Sequence, residues 1–132
     1  LHPVVHLHVF NSRGELYLQK RPAWKDIQPG RWDTAVGGHV DYGETVGEAL
    51  RREVREELGI TDFVPGAVAV YPFRSECEYE LVHVFRTVYD GVVRPSGELD
   101  GGRFWSPYEI RENLGRGLFT PNFEGEVGLI LG

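Results

Sequence analysis

Residues 38–60 read GHVDYGETVGEALRREVREELGI. Thr45 followed three residues later by Glu48 is a capping box, and Gly59 is a natural stop, so the spacing predicts a helix over about 45–58. At about 100° per residue, with Glu53 at zero, Glu56 falls near −60° and Glu57 near +40°. Three carboxylates therefore share an arc of about 100°. Leu50, Val54 and Leu58 lie beside it at about 60°, 100° and 140°, a stripe suited to packing on a sheet. Like charges at these spacings repel by roughly a few tenths of a kcal/mol per exposed pair. A helix built only for stability would break up that cluster, whereas a divalent cation turns the repulsion into ligation. Mg²⁺ takes hard oxygen ligands and is shared between carboxylates and substrate phosphates. Arg52 and Arg55 flank the cluster, and taken alone the helix also reads as a solvated, salt-bridged surface.

Outward from this helix the chain alternates strand and turn. Val5, Leu7 and Val9 alternate with His6 and His8, which predicts a strand over 4–10. Asn11–Gly14 reads as a turn and Glu15–Lys20 as an antiparallel partner. Residues 21–33, with Pro22, Pro29 and Gly30, read as a loop, and Thr34–Val36 as a short strand ending in Gly37-Gly38. Ala67–Val70, Leu81–Tyr89 and Arg103–Trp105 read as further strands. Pro107 suits the first turn of a short helix to about Asn113. A last helix is expected over Phe123–Leu129, although Gly125 and Gly128 weaken it. This order implies a layered α/β fold in one domain, residues 1–132.

Composition narrows the function. A net charge of −6 argues against binding a nucleic acid polymer or a membrane surface, which favours a basic face. No apolar run approaches the roughly 20 residues of a membrane span, and nothing reads as a signal peptide. The single cysteine, Cys77, excludes an internal disulfide and fits a reducing cytoplasm. Lying between Glu76 and Glu78, its thiol is in a negative setting that argues against a nucleophile.

Gly38, Glu44 and Arg52-Glu53-Val54-Arg55-Glu56-Glu57-Leu58-Gly59-Ile60 resemble the Nudix box, GX5EX7REUXEEXGU with U aliphatic, at every fixed position. The resemblance implies an α/β/α sandwich with a mixed β-sheet. It implies Mg²⁺- or Mn²⁺-dependent hydrolysis of a nucleoside diphosphate linked to another moiety, or of a related organic diphosphate. Glu53, Glu56 and Glu57 would hold the metal, with a carbonyl of the Gly37-Gly38 pair, Gly38 foremost, added where only small residues allow close approach. Arg52 would orient a glutamate and Glu44 would tie the loop to the helix. The metal would lower the pKa of a water for attack on phosphorus, with Glu53 or Glu56 taking the proton and Glu98 a candidate outside the box. The family resemblance leaves a homodimer open.

A finer resemblance involves His2, Phe10-Asn11, Lys20-Arg21, Lys25, Pro29-Gly30-x-Trp32, Gly38-His39 and Glu78-x-Glu80. These look like type I isopentenyl diphosphate isomerase, of the same superfamily. That enzyme binds metal through histidines and glutamates, which makes His2, His39, Glu78 and Glu80 a candidate second metal site. It also uses a cysteine just before the Gly-His pair, where this chain has Gly37, and its box is usually degenerate, whereas this one is intact. A hydrolase of the isomerase-like branch is therefore expected, with the isomerase and a non-catalytic nucleotide-sensing module as alternatives. Arg21 and Lys25 are candidate diphosphate clamps or an exposed basic loop. His6 and His8 read as partly exposed strand histidines, with pocket lining the alternative. Trp32 is expected to pack in the fold, and Trp24, Tyr71 and Phe73 to lie in loops, where they are candidates for stacking on a base or sugar.

Overall fold

Alternation along the first strand sets the layers. A computed structural model describes residues 1–21, 30–96 and 101–131. Its elements run β1 (His2–Phe10), β2 (Leu16–Lys20), β3 (Trp32–Thr34), β4 (Val36–His39), α1 (Val46–Leu58), β5 (Gly66–Arg74), β6 (Tyr79–Val88), β7 (Gly102–Trp105), α2 (Pro107–Glu112) and α3 (Pro121–Ile130). Val5, Leu7 and Val9 of β1 pack with Leu50, Val54 and Leu58 of α1 on one face of the sheet. Phe10 joins Phe123, Val127 and Ile130 of α3, together with Ile110 of α2, on the other. Helices thus cover both faces of a mixed sheet, the α/β/α sandwich that the Nudix resemblance implies.

Pairing explains where the glycines land. β1 runs parallel to β6 along its whole length, from His2↔Glu80 to Phe10↔Val88. Its other edge is divided. Val9 and Phe10 pair with Tyr17 and Leu16 of β2, while Val4 to Leu7 pair with His39 to Val36 of β4. β2 meanwhile turns to β3, Leu18 opposite Thr34. The chain from Trp32 to His39 enters the wedge where β1 and β2 part, bending at the buried Ala35. That entry fixes Gly37 opposite His6 and Gly38 opposite Val5.

Local chemistry shapes the helices. The Thr45 hydroxyl accepts from the Glu48 N–H and the Glu48 carboxylate from the Thr45 N–H, which closes the capping box. Gly59, with φ 68°, terminates α1 in the left-handed conformation that glycine adopts without steric cost. α3 is longer than expected. Thr120 caps it, Pro121 starts it, and Gly125 and Gly128 lie where an added Cβ would meet nothing, so they cost the helix conformational entropy but no packing.

Several expectations are corrected. Trp32 and Asp33 belong to a strand, because β2 offers them an unpaired edge, and Trp32 packs edge-on against Trp105 at 5.2 Å. Tyr71 and Phe73 are likewise in a strand, since β5 follows β6 from Gly66 to Arg74 across a bulge near Val68. His8 is fully buried and the His6 side chain only 15% exposed, because α3 covers their face. No helix among the described residues is long and apolar enough to cross a membrane.

Candidate active site

Arg52 organises the mouth of the site from the first half of α1. Its Nε and Nη2 donate to the two carboxylate oxygens of Glu44 at 2.8 and 2.9 Å, a bidentate pair. Nη2 also donates to the His39 carbonyl at 3.0 Å and Nη1 to Glu53 at 2.8 Å, while Glu56 is more loosely held at 3.5 Å. Glu44 in turn accepts from the Asp41 N–H at 2.9 Å. The Arg52 guanidinium, followed by that backbone N–H, holds the Glu44 carboxyl at about 2. One arginine therefore ties the turn after β4 to the helix and fixes Glu53 against it.

Glu57 stands differently. One of its oxygens, Oε2, is buried without any hydrogen-bond partner. Burial first, and the negative charge of Glu53 second, push its carboxyl up to about 8, against the opposing effect of the Gly37 N–H. Buried polar atoms are normally paired, so an orphaned carboxylate oxygen asks for a ligand. Gly38 supplies the matching shape: a Cβ built there would lie 2.2 Å from the Glu53 carboxyl carbon and 2.5 Å from each of its oxygens. Only glycine lets this carboxylate lie so close against the strand.

Among the described residues no three His, Cys, Asp or Glu side chains stand at the spacing of a formed metal site, and Arg52 is what neutralises Glu53 and Glu56. The donor set still fits a hard divalent cation. The orphaned Glu57 oxygen, the neighbouring charges of Glu53 and Glu56, and the glycine cradle all lie on one side of α1.

The remaining candidates lie across the sheet end. His2, His39, Glu78 and Glu80 line one open cleft of about 450 Å³, together with the exposed Cys77. His39 Nε2 comes within 3.6 Å of Glu80. Burial, followed by the shared hydrogen bond with Glu78, raises the Glu80 carboxyl above its usual range. Arg21 pairs with Asp33 at 3.6 Å and lines an adjoining cavity with Gly37, Gly38 and His39. Lys25, Glu98 and Trp24 lie outside the described residues.

One functional-looking residue escaped the sequence. Glu126 is 1% exposed and accepts from His6 Nδ1 at 2.6 Å, from His8 Nε2 at 2.8 Å and from the Tyr71 hydroxyl. A signal was present. On α3, Glu126 borders the apolar arc of Phe123, Val127 and Ile130, about 40° from Ile130, a position where a lone acid that turns inward needs buried partners.

The family model for the NUDIX domain matches residues 1–123. The chain belongs to the Nudix family. It is 41% identical over 126 residues to an uncharacterized Nudix hydrolase of Listeria monocytogenes, covering 93% of this chain and 74% of the relative. An isopentenyl-diphosphate Delta-isomerase of Burkholderia multivorans is 35% identical over 99 residues, which is 72% of this chain and 56% of that enzyme. The crystal structure of DR0079 from Deinococcus radiodurans superposes with a TM-score of 0.84 at 25% identity, covering 99% of this chain and 83% of that one. The chain spans 47%, 74% and 59% of the length of three curated Nudix relatives that it matches. The Nudix box thus runs from Gly38 through α1 to Ile60, where the Arg52 network and the orphaned Glu57 oxygen lie.

Proposed function

We propose that this Nudix chain is a Mg²⁺- or Mn²⁺-dependent hydrolase of a diphosphate bond, acting on a nucleoside diphosphate linked to another moiety or on a related organic diphosphate. The buried, unpartnered Glu57 oxygen beside two further glutamates carries this reading. Glu53, Glu56, Glu57 and the Gly38 carbonyl would hold the cation. When bound, it supplies charge that screens phosphate oxygens and acidifies water. Arg52 keeps Glu53 in place, and Glu44 keeps Arg52 in place, so the loop is tied to the helix. Glu56, held only at 3.5 Å and exposed, is the freer carboxylate to accept the proton of the attacking water. Arg21, which lines one cavity with the glycine pair, would contact a diphosphate oxygen. His39 and Glu80, with His2 and Glu78 in the same cleft, would hold a second cation only on drawing closer together, since no three of them stand at metal-binding spacing.

The test is an assay of the chain against nucleoside diphosphate sugars, dinucleoside polyphosphates, damaged nucleoside triphosphates and isoprenoid diphosphates in ¹⁸O-water. Cleavage that stops on chelation and resumes with Mg²⁺, with one ¹⁸O in a phosphate product, is expected. Metal binding with no cleavage across the panel would favour a sensor, and isomerised isopentenyl diphosphate without water uptake an isomerase. Gly38→Ala is expected to weaken Mn²⁺ binding about tenfold or more, read by titration, with little change in melting temperature. The three atoms nearest the added methyl belong to the end of a flexible side chain, Glu53. Unchanged Mn²⁺ affinity would remove Gly38 from the cation site.

A further inference from the structure

Below the glycine pair lies a buried polar cluster that the chemistry above does not use. Three donors from two strands meet one carboxylate: His6 and His8 of β1 and Tyr71 of β5 all bond to Glu126. An apolar residue would fill this position on α3 without taking a charge out of water. The cluster is also not closed on itself. His8 ends in the core, but His6 reaches a cavity of about 280 Å³ that Arg21, Gly37, Gly38, Glu80 and Asn122 also line.

The ring of His6 is oriented by its partners. Nδ1 is committed to Glu126, so the edge left for the cavity is Nε2–Cδ2. That edge lies beneath Gly37: a Cβ there would come within 3.4 Å of Cδ2 and 3.7 Å of Nε2. Gly37 therefore leaves the His6 edge uncovered, much as Gly38 leaves room for Glu53. No hydrogen bond to Nε2 exists among the described residues. The cavity wall mixes donors (Arg21, Asn122) with acceptors (Glu78, Glu80) and is mostly polar. Such a lining matches a group bearing several hydroxyls, each of which both donates and accepts, and it mismatches a hydrocarbon chain.

We propose that His6 is a specificity-determining contact, its Nε2 edge hydrogen-bonding a hydroxyl of a sugar joined to the diphosphate, with Glu126 the positioning residue that fixes the ring. The substrate class is then a sugar-bearing diphosphate rather than an isoprenoid one. This rests on the diphosphate reading above. An imidazole edge serves a hydroxyl whether it donates or accepts, so the contact does not depend on the ring's charge.

The test compares binding of ADP-ribose and dimethylallyl diphosphate to the chain in Ca²⁺, a hard oxygen-seeking cation like Mg²⁺. His6→Asn keeps a group at the Nδ1 position for Glu126 and removes Nε2, and His6→Gln keeps a polar atom near Nε2. ADP-ribose affinity is expected to fall about tenfold in His6→Asn and less in His6→Gln, with dimethylallyl diphosphate unaffected in both. Glu126→Gln should show the same selective loss, which a general loss of structure would not. In the wild type, the ¹⁵N resonance of His6 Nε2 should move on adding ADP-ribose, a readout independent of how any variant folds. Equal ADP-ribose affinity in folded His6→Asn, or an unmoved Nε2 resonance, overturns the proposal and leaves the diphosphate reading standing. Equal wild-type affinity for the two compounds does the same. Wild type that binds neither overturns the sugar proposal and leaves the diphosphate reading to the wider panel.

Discussion

Glu57→Gln is expected to lower turnover about a thousandfold or more while the chain stays folded, because a bound cation contributes several kcal/mol to a phosphoryl transition state. Glu56→Gln is expected to act alike. The amide keeps the shape of the side chain and removes the charge that a cation would meet. Metal-free stability should respond in the opposite direction. Burial and then Glu53 raise the Glu57 carboxyl from 4.5 to about 8, so between those values the folded chain holds a proton that the unfolded chain releases. Stability then falls as pH rises through this window. In chelator, the wild-type melting temperature should decline from about pH 5 to about pH 8, and Glu57→Gln should decline less. Adding Mg²⁺ should raise the wild type and leave the variant where it was. Unchanged turnover in both glutamine variants would sink the proposed chemistry.

The sequence displayed the parts of this site that are local. The box glutamates, the capping box and the glycine stop all lie within one helix and its approach, where spacing translates directly into geometry. The two faces of β1 were legible for the same reason. What escaped depends on pairing between distant segments. Trp32 and Asp33 read as loop because the edge they complete belongs to β2, and Tyr71 read as loop because β6 extends β5. His6 and His8 showed their shared face but not what covers it, since Glu126 lies 118 residues from His8. Gly37 and Gly38 carried a hint of close approach, yet which carboxylate or ring approaches follows from the wedge between β1 and β2.

The second large effect concerns Glu126. Glu126→Leu is expected to destabilise the chain by about 3–5 kcal/mol, or about 10–20 °C in melting temperature, because it strands two histidines and a tyrosine that now share one buried carboxylate. The pH dependence identifies the source. Burial alone would raise the Glu126 carboxyl, but the bonds from His6 and His8 outweigh it and hold the group at about 2 instead of 4.5. Its contribution is therefore present above pH 4.5 and lost as pH falls toward 2. His6 moves the other way. Burial would lower its pKa, yet the Glu126 bond raises it above 6.5, so its contribution is full below 6.5 and fades as pH rises through the shifted value. The stability difference between wild type and variant should peak between about pH 4.5 and 6.5 and shrink on both sides. A difference that stayed flat from about pH 3 to about pH 9 would mean that neutral hydrogen bonds, and no ion pair, hold the cluster. A carboxylate that stabilises most when His6 is charged is also one that fixes the ring most firmly in that range, which ties the strength of the fold here to the aim of the His6 edge on the cavity.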